Sequence, residues 1–204
     1  MFAYIDPIIF PDDCEILQVS ADRYVYPIFK NGSSSLRETG YRKISALEFA
    51  DVKTVEVFLR DPLDRYVSGV QTYLKKLDYK YDRETVLSMI DQYLFLNRHF
   101  CLQFHWLINL SRHTQAQIHV RSISELKDLT NLVWNTAPDD KDLVARFAVN
   151  QKLDFYLQLD KILINDFMHK IVRFQDVVAH VKQNYPELYQ EILGRSQNLC
   201  SVLD

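Results

Sequence analysis

The chain has 204 residues, of which 48% are hydrophobic, and its formal net charge at pH 7 is −3. This length suits one domain with a sizeable hydrophobic core, and the slightly acidic balance argues against a protein that holds nucleic acid by bulk charge. The three cysteines, Cys14, Cys101 and Cys200, are far apart, so they indicate neither a zinc cluster nor a disulfide framework.

The N-terminal stretch is apolar in patches but does not look like a secretion signal. It has no basic region at its start, and it is interrupted by Pro7, Asp12 and Asp13. No run in the chain approaches the roughly 20 apolar residues of a membrane-spanning helix. We therefore expect a soluble, cytoplasmic protein with no membrane partner.

The first predicted strand is followed by a loop of small residues. The segment DRYVYPIFK, residues 22–30, is rich in aromatic and β-branched residues, which favour strands. Ser35 and Glu38 form a capping-box pattern, so a helix is predicted to begin near Ser34 or Ser35.

The second predicted strand, KTVEVFLR at residues 53–60, leads directly into a predicted helix. Asp61 is placed as the N-cap of this helix and Pro62 at its first position, where a missing N–H costs nothing. The expected apolar stripe of this helix consists of Leu63, Tyr66, Val67, Val70, Tyr73, Leu74 and Leu77.

The rest of the chain continues the alternation of strands and helices and then becomes helical. In chain order we predict a helix over 83–97 capped by Asp82, a strand over 117–121, a helix from the Ser122–Glu125 capping box to about Val133, and several helices over 142–194 with a break before Pro186. This order predicts one α/β domain over 1–204 with a largely parallel sheet. Its core covers about 22–135, and its helical C-terminal part about 139–195.

The loop after the first strand has the composition of an anion site. Lys30 supplies a charge, Gly32 permits a positive φ and close backbone approach, and three serines supply hydroxyl donors beside the start of a helix. A polar turn before a capped helix explains the same residues. The loop is not a Walker A motif, because Lys30 precedes the loop rather than following it.

The turn after the second strand adds a second cationic position. Arg60 ends that strand, and Ser68 lies two turns into the next helix, on the same face as Arg65 and opposite the apolar stripe. Ligands of open α/β sheets bind at the carboxyl ends of strands. If the two strands are adjacent and parallel, Lys30 and Arg60 border one pocket for two anionic groups.

These two motifs together resemble those of the sulfotransferase family, whose members use 3′-phosphoadenosine 5′-phosphosulfate (PAPS). KNGSSSL is similar to the loop that binds the 5′-phosphosulfate, and RDPLDRYVS matches the 3′-phosphate motif R-[DE]-P-x-x-R-x-x-S. The resemblance implies a P-loop-nucleotide-hydrolase-like fold with three α/β/α layers. It implies that the 3′-phosphate is bound by Arg60 and Ser68, and the phosphosulfate by Lys30, Asn31, Gly32, Ser33, Ser34 and Ser35.

The same resemblance implies in-line transfer of a sulfonyl group to an acceptor hydroxyl, with no metal. Lys30 is expected to stabilise the charge that appears on the leaving phosphate. The segment NRHFCLQFHWL is similar to a stretch of carbohydrate-type sulfotransferases, with Leu102 where proline is common, and it makes His99 the expected base. His105 and the carboxylates of Glu38 and Glu56 are alternative bases.

The expected acceptor is a carbohydrate or small-molecule hydroxyl, and the sequence leaves the oligomeric state open. A second hypothesis is a nucleotide-binding or interaction module of the same fold that has lost catalysis. A nucleotide kinase is disfavoured, because no Walker A motif is present.

Overall fold

A computed structural model of the protein describes residues 14–28, 30–77, 82–92, 99–130 and 140–193. The strands are β1 (Leu17–Ser20), β2 (Arg23–Tyr26), β3 (Arg42–Lys43), β4 (Thr54–Leu59), β5 (Gln117–Ser122) and β6 (Ile171–Val172). They form one six-stranded sheet in the order β3-β1-β2-β4-β5-β6.

The described residues form eight α-helices. They are α1 (Ser33–Glu38), α2 (Pro62–Leu77), α3 (Arg83–Gln92), α4 (Gln103–His113), α5 (Lys141–Ala148), α6 (Gln151–Phe167), α7 (Phe174–Asn184) and α8 (Pro186–Leu188). Two 3₁₀ helices, Ala46–Asp51 and Ile123–Asp128, follow β3 and β5, and a π-helical turn, Tyr189–Leu193, follows α8.

The α/β class predicted from the sequence is confirmed, but the sheet is mixed rather than largely parallel. The central strands β2, β4 and β5 are parallel, whereas β1, β3 and β6 pair antiparallel at the two edges. The sequence pattern does not predict β1, β3 and β6. These strands have two to four residues, too few to show an alternating pattern.

Alternation along the central strands divides the core between the two faces of the sheet. Val55, Val57 and Leu59 of β4 join the large cluster that packs against α2, α4, α6 and α7. Phe58, between them in sequence, joins a smaller cluster with Leu36 of α1 and Leu126 of the second 3₁₀ helix. Successive side chains of a strand point to opposite faces, so β4 is covered on both sides.

Several predicted helix starts are confirmed by their capping bonds. The Asp61 carboxylate accepts from the Asp64 N–H at 2.9 Å, and that of Asp82 accepts from the Thr85 N–H at 2.9 Å. The capping box at Ser122 is also present, but it opens a short 3₁₀ helix instead of an α-helix. This 3₁₀ helix ends at Asp128, short of the predicted end near Val133. The predicted end of the helix beyond Gln92 and the tail after Gly194 lie outside the described residues.

The predicted capping box at Ser35 is wrong. α1 begins at Ser33, and its N-cap is Gly32, whose φ of 78° lies in the left-handed region that favours glycine. Ser35 is therefore inside the helix, where its side chain has no N-terminal N–H to cap. Among the described residues, no helix is both long and apolar enough to cross a membrane.

Candidate functional site

The two turns singled out in the sequence lie next to each other at the carboxyl ends of two central strands. They follow β2 and β4, which are neighbouring parallel strands with Val25 opposite Glu56. The Asn31 side-chain amide donates to the backbone carbonyl of Phe58 at 2.7 Å, which holds the first loop against the end of β4. The sheet topology thus brings the Lys30 loop and Arg60 together.

The Lys30 side chain reaches from the first loop to α2, the helix that follows the second turn. Its Nζ donates to Oγ1 of Thr72 at 2.6 Å, and that hydroxyl donates to the carbonyl of Ser68 at 3.0 Å. The Lys30 ammonium therefore lies one helical turn beyond Ser68. Lys30 has a φ of 66°, which is uncommon outside glycine, and strained backbone of this kind is concentrated at functional sites.

Gln103, the first residue of α4, joins the two loops through its fully buried amide. Its Oε1 accepts from Nδ2 of Asn31 at 2.6 Å and from the backbone N–H of Arg60 at 2.9 Å. Its Nε2 donates to the carbonyl of Arg60 at 2.9 Å. One side chain thus fixes the spacing between the two loops.

Asp160 of α6 holds the start of α4, and with it Gln103, in place. Its carboxylate accepts from the backbone N–H groups of Gln103 at 2.8 Å and Phe104 at 2.9 Å, and so caps α4 from another helix. Burial raises the pKa of Asp160, and the positive charge of Arg65 opposes that shift. No local sequence signal identifies this carboxylate, because it lies 57 positions from Gln103.

The two arginines of the second motif are both buried. Arg60 is only 7% exposed, and burial lowers its pKa, an effect that the neighbouring carboxylate of Asp64 opposes. Arg65 is 1% exposed and donates to the carbonyl of Cys101. The prediction that Arg65 lies opposite the apolar stripe is therefore wrong, since its guanidinium points into the interior beside α4.

The small residues of the first loop differ in accessibility. Ser34 is exposed and Gly32 and Ser35 are partly exposed, whereas Asn31 and Ser33 are buried. Ser68 is partly buried on α2. Direct contact with a ligand at the loop surface is therefore open to Gly32, Ser34 and Ser35, while Asn31 acts within the protein.

His99 lies just before α4 and against the helix that carries Ser68. A β-carbon at Gly69 would overlap the backbone carbonyl of His99, so the chain before α4 packs directly on the backbone of α2. His99 is buried, with an exposure of 7%. The structure therefore places His99 next to the residue that follows Ser68.

The three residues considered as alternative catalytic bases differ from His99 in their contacts or exposure. Burial, helped by the charge of Arg65, lowers the pKa of His105 to about 4, and its ring packs against that of Tyr156. Glu56 accepts two hydrogen bonds from Arg23, both at 2.9 Å, on the face of the sheet that α1 covers. Glu38 is exposed at the end of α1.

No family model matches the chain, and neither the curated proteins nor the solved structures contain a match to it. Within the described part of the chain, no group of three or more His, Cys, Asp or Glu side chains is arranged to hold a metal ion.

Proposed function

We propose that this protein transfers the sulfonyl group of PAPS to an acceptor hydroxyl, with a carbohydrate hydroxyl as the favoured acceptor. The observation that carries the proposal is the path from Lys30 through Thr72 to the Ser68 carbonyl, which links the two phosphate motifs. The two motifs lie far apart in the sequence but follow neighbouring parallel strands at the same end of the sheet, as one ligand with two anionic groups requires.

In this proposal each end of the ligand has its own cation. The Lys30 loop binds the 5′-phosphosulfate, and Arg60 with Ser68 binds the 3′-phosphate. Arginine suits a buried phosphate contact because its planar guanidinium donates in a fork and stays charged despite burial. The parallel strands β2, β4 and β5 then correspond to the central part of a P-loop-like sheet.

The proposed reaction is an in-line displacement at sulfur. The bond between the acceptor oxygen and sulfur forms while the bond between sulfur and the bridging phosphate oxygen breaks. His99 takes the acceptor proton, and Lys30 stabilises the charge that appears on the leaving 3′-phosphoadenosine 5′-phosphate (PAP). Gln103 and Asn31 take no part in bond changes and hold the two loops at a constant distance.

The first test is calorimetric titration with PAP in the absence of magnesium, with ATP and magnesium in parallel. We expect PAP to bind without metal, and Lys30→Ala or Arg60→Ala to lower its affinity about 10- to 100-fold, because each removes a charged hydrogen-bond donor. Lys152→Ala and Arg42→Ala are matched controls, since both residues are exposed on other elements.

The melting temperature of each variant separates loss of binding from loss of folding. Arg60→Lys is a second variant that retains the charge but not the fork, and it should also bind PAP more weakly than the unaltered chain. Absence of PAP binding to the unaltered chain would contradict the proposal. PAP binding without release of PAP from PAPS, over a panel of hydroxyl acceptors, would instead favour the inactive binding module.

A further inference from the structure

A cleft of about 870 Å³ lies at the opposite end of the central strands from the Lys30 loop. It is bordered by Lys53, which precedes β4, and by Gln117, which begins β5. Arg112 and His113 at the end of α4 and Arg173 before α7 also line it. The proposed sulfotransferase chemistry uses none of these residues.

The charged side chains in the described lining of this cleft are mainly cationic, in a protein whose net charge is negative. Lys53, Arg112 and Arg173 are cations, and all three side chains are exposed. The described lining contains one carboxylate, that of Asp176. Neither Lys53 nor Arg173 takes part in an ion pair with any described residue.

Elsewhere in the described chain most arginines have carboxylate partners. Six of them form ion pairs, namely Arg23, Arg37, Arg42, Arg83, Arg121 and Arg146. Lys53 and Arg173 are different, because they lie on an open concave surface and form no ion pair with a described residue. Such a surface concentrates positive potential and attracts anions.

The start of α7 adds to this potential. Arg173 is the N-cap of this 11-residue helix, and its side chain makes no capping bond to the first turn. The helix dipole therefore places partial positive charge at the cleft, and Asp176 in the first turn opposes it. The guanidinium of Arg173 and the first turn of α7 therefore both add positive charge at the same end of this helix.

We propose that this cleft binds a small oligoanion that carries two or more phosphate or sulfate groups. Its volume lies in the range of sites for ligands with many atoms, so a single inorganic ion would leave most of it empty. The three cations come from three segments, namely before β4, at the end of α4 and before α7, and this spread suits several anionic groups on one molecule. Phosphate and sulfate groups share this tetrahedral oxyanion chemistry.

The test is a titration with inorganic tripolyphosphate, and separately with a disulfated disaccharide, at low and at about physiological ionic strength. We expect saturable binding that weakens with salt, because the cations are exposed and screened within about 8 Å at 0.15 M salt. Lys53→Ala and Arg173→Ala should each weaken it about fivefold, and Asp176→Asn should strengthen it, since that change removes the opposing charge.

Lys152→Ala is the matched control, because Lys152 is an exposed lysine at the start of α6, away from the cleft. Tighter binding of one probe identifies the phosphate or the sulfate source, and equal binding supports recognition by charge alone. Binding that is lost in Lys30→Ala but unchanged in Arg173→Ala would overturn the proposal, because it would place the oligoanion in the first site. Absence of saturable binding of both probes would overturn it as well.

Discussion

Gly69 shows how one small residue sets the position of a candidate catalytic segment. It lies within α2, directly after Ser68, and the carbonyl of His99 occupies the space that a side chain there would need. A β-carbon at this position would also come within 2.9 Å of the Phe100 β-carbon. The close approach of two backbones is therefore the reason for glycine within this helix.

Gly69→Ala should destabilise the protein, although alanine is the better helix former by about 1 kcal/mol. The methyl group meets a backbone carbonyl, and overpacking of this kind costs typically about 1–3 kcal/mol. Urea denaturation measures the free energy of unfolding. Gln71→Ala on the same helix should leave it nearly unchanged, and equal stability of Gly69→Ala and the unaltered chain would show that the segment before α4 moves aside.

At the scale of elements, Gln103 and Asp160 connect parts of the fold that are distant in the sequence. Gln103 is 72 positions from Asn31 and 57 from Asp160, yet it bonds to both. A buried amide with partners on every polar atom stabilises one arrangement of the surrounding loops, because any other arrangement leaves buried polar groups unpaired.

Gln103→Leu should lower the free energy of unfolding by about 2–4 kcal/mol, because the backbone N–H and carbonyl of Arg60 lose the partners that Gln103 provides. The leucine keeps the volume but offers no hydrogen bonds. Chemical denaturation gives the value, with Gln151→Leu as a control at an exposed position of α6. A loss below about 0.5 kcal/mol, the range of surface substitutions, would contradict this role of Gln103.

At the scale of the whole molecule, the titration of His105 couples global stability to pH. The pKa of His105 is lowered from 6.5 to about 4 by burial and by the charge of Arg65, so the folded protein holds this ring neutral. In the unfolded chain the ring has its ordinary pKa and binds a proton at higher pH. Between these two values the unfolded state holds more protons, and stability must fall as the pH falls.

His105→Gln should therefore flatten the decline in stability between about pH 6.5 and pH 4, which is the window set by the two pKa values of His105. Denaturation curves at a series of pH values, for the variant and the unaltered chain, measure the difference in slope. His113→Gln is the control, because His113 is exposed at the other end of the same helix. Parallel stability curves for His105→Gln and the unaltered chain would contradict the prediction.

Local patterns predicted the elements whose stabilising contacts lie close in the sequence. The caps at Asp61 and Asp82 and the capping box at Ser122 depend on residues three positions apart. The α4 helix was not predicted, because its cap is supplied by Asp160 of another helix. The Ser35 capping box was predicted wrongly, since the left-handed Gly32 starts α1 two residues earlier.

The sequence by itself determined the α/β class and the two motif-bearing turns, because strand alternation, helix caps and loop composition are local properties. Only the tertiary structure decided the mixed sheet, the inward direction of Arg65 and the connection of Lys30 to Thr72. The same holds for the cleft with Lys53 and Arg173 at the end of the central strands opposite the Lys30 loop. Each of these depends on which distant segments meet. That choice follows from the burial of both faces of the sheet together and is not visible in any single window of residues.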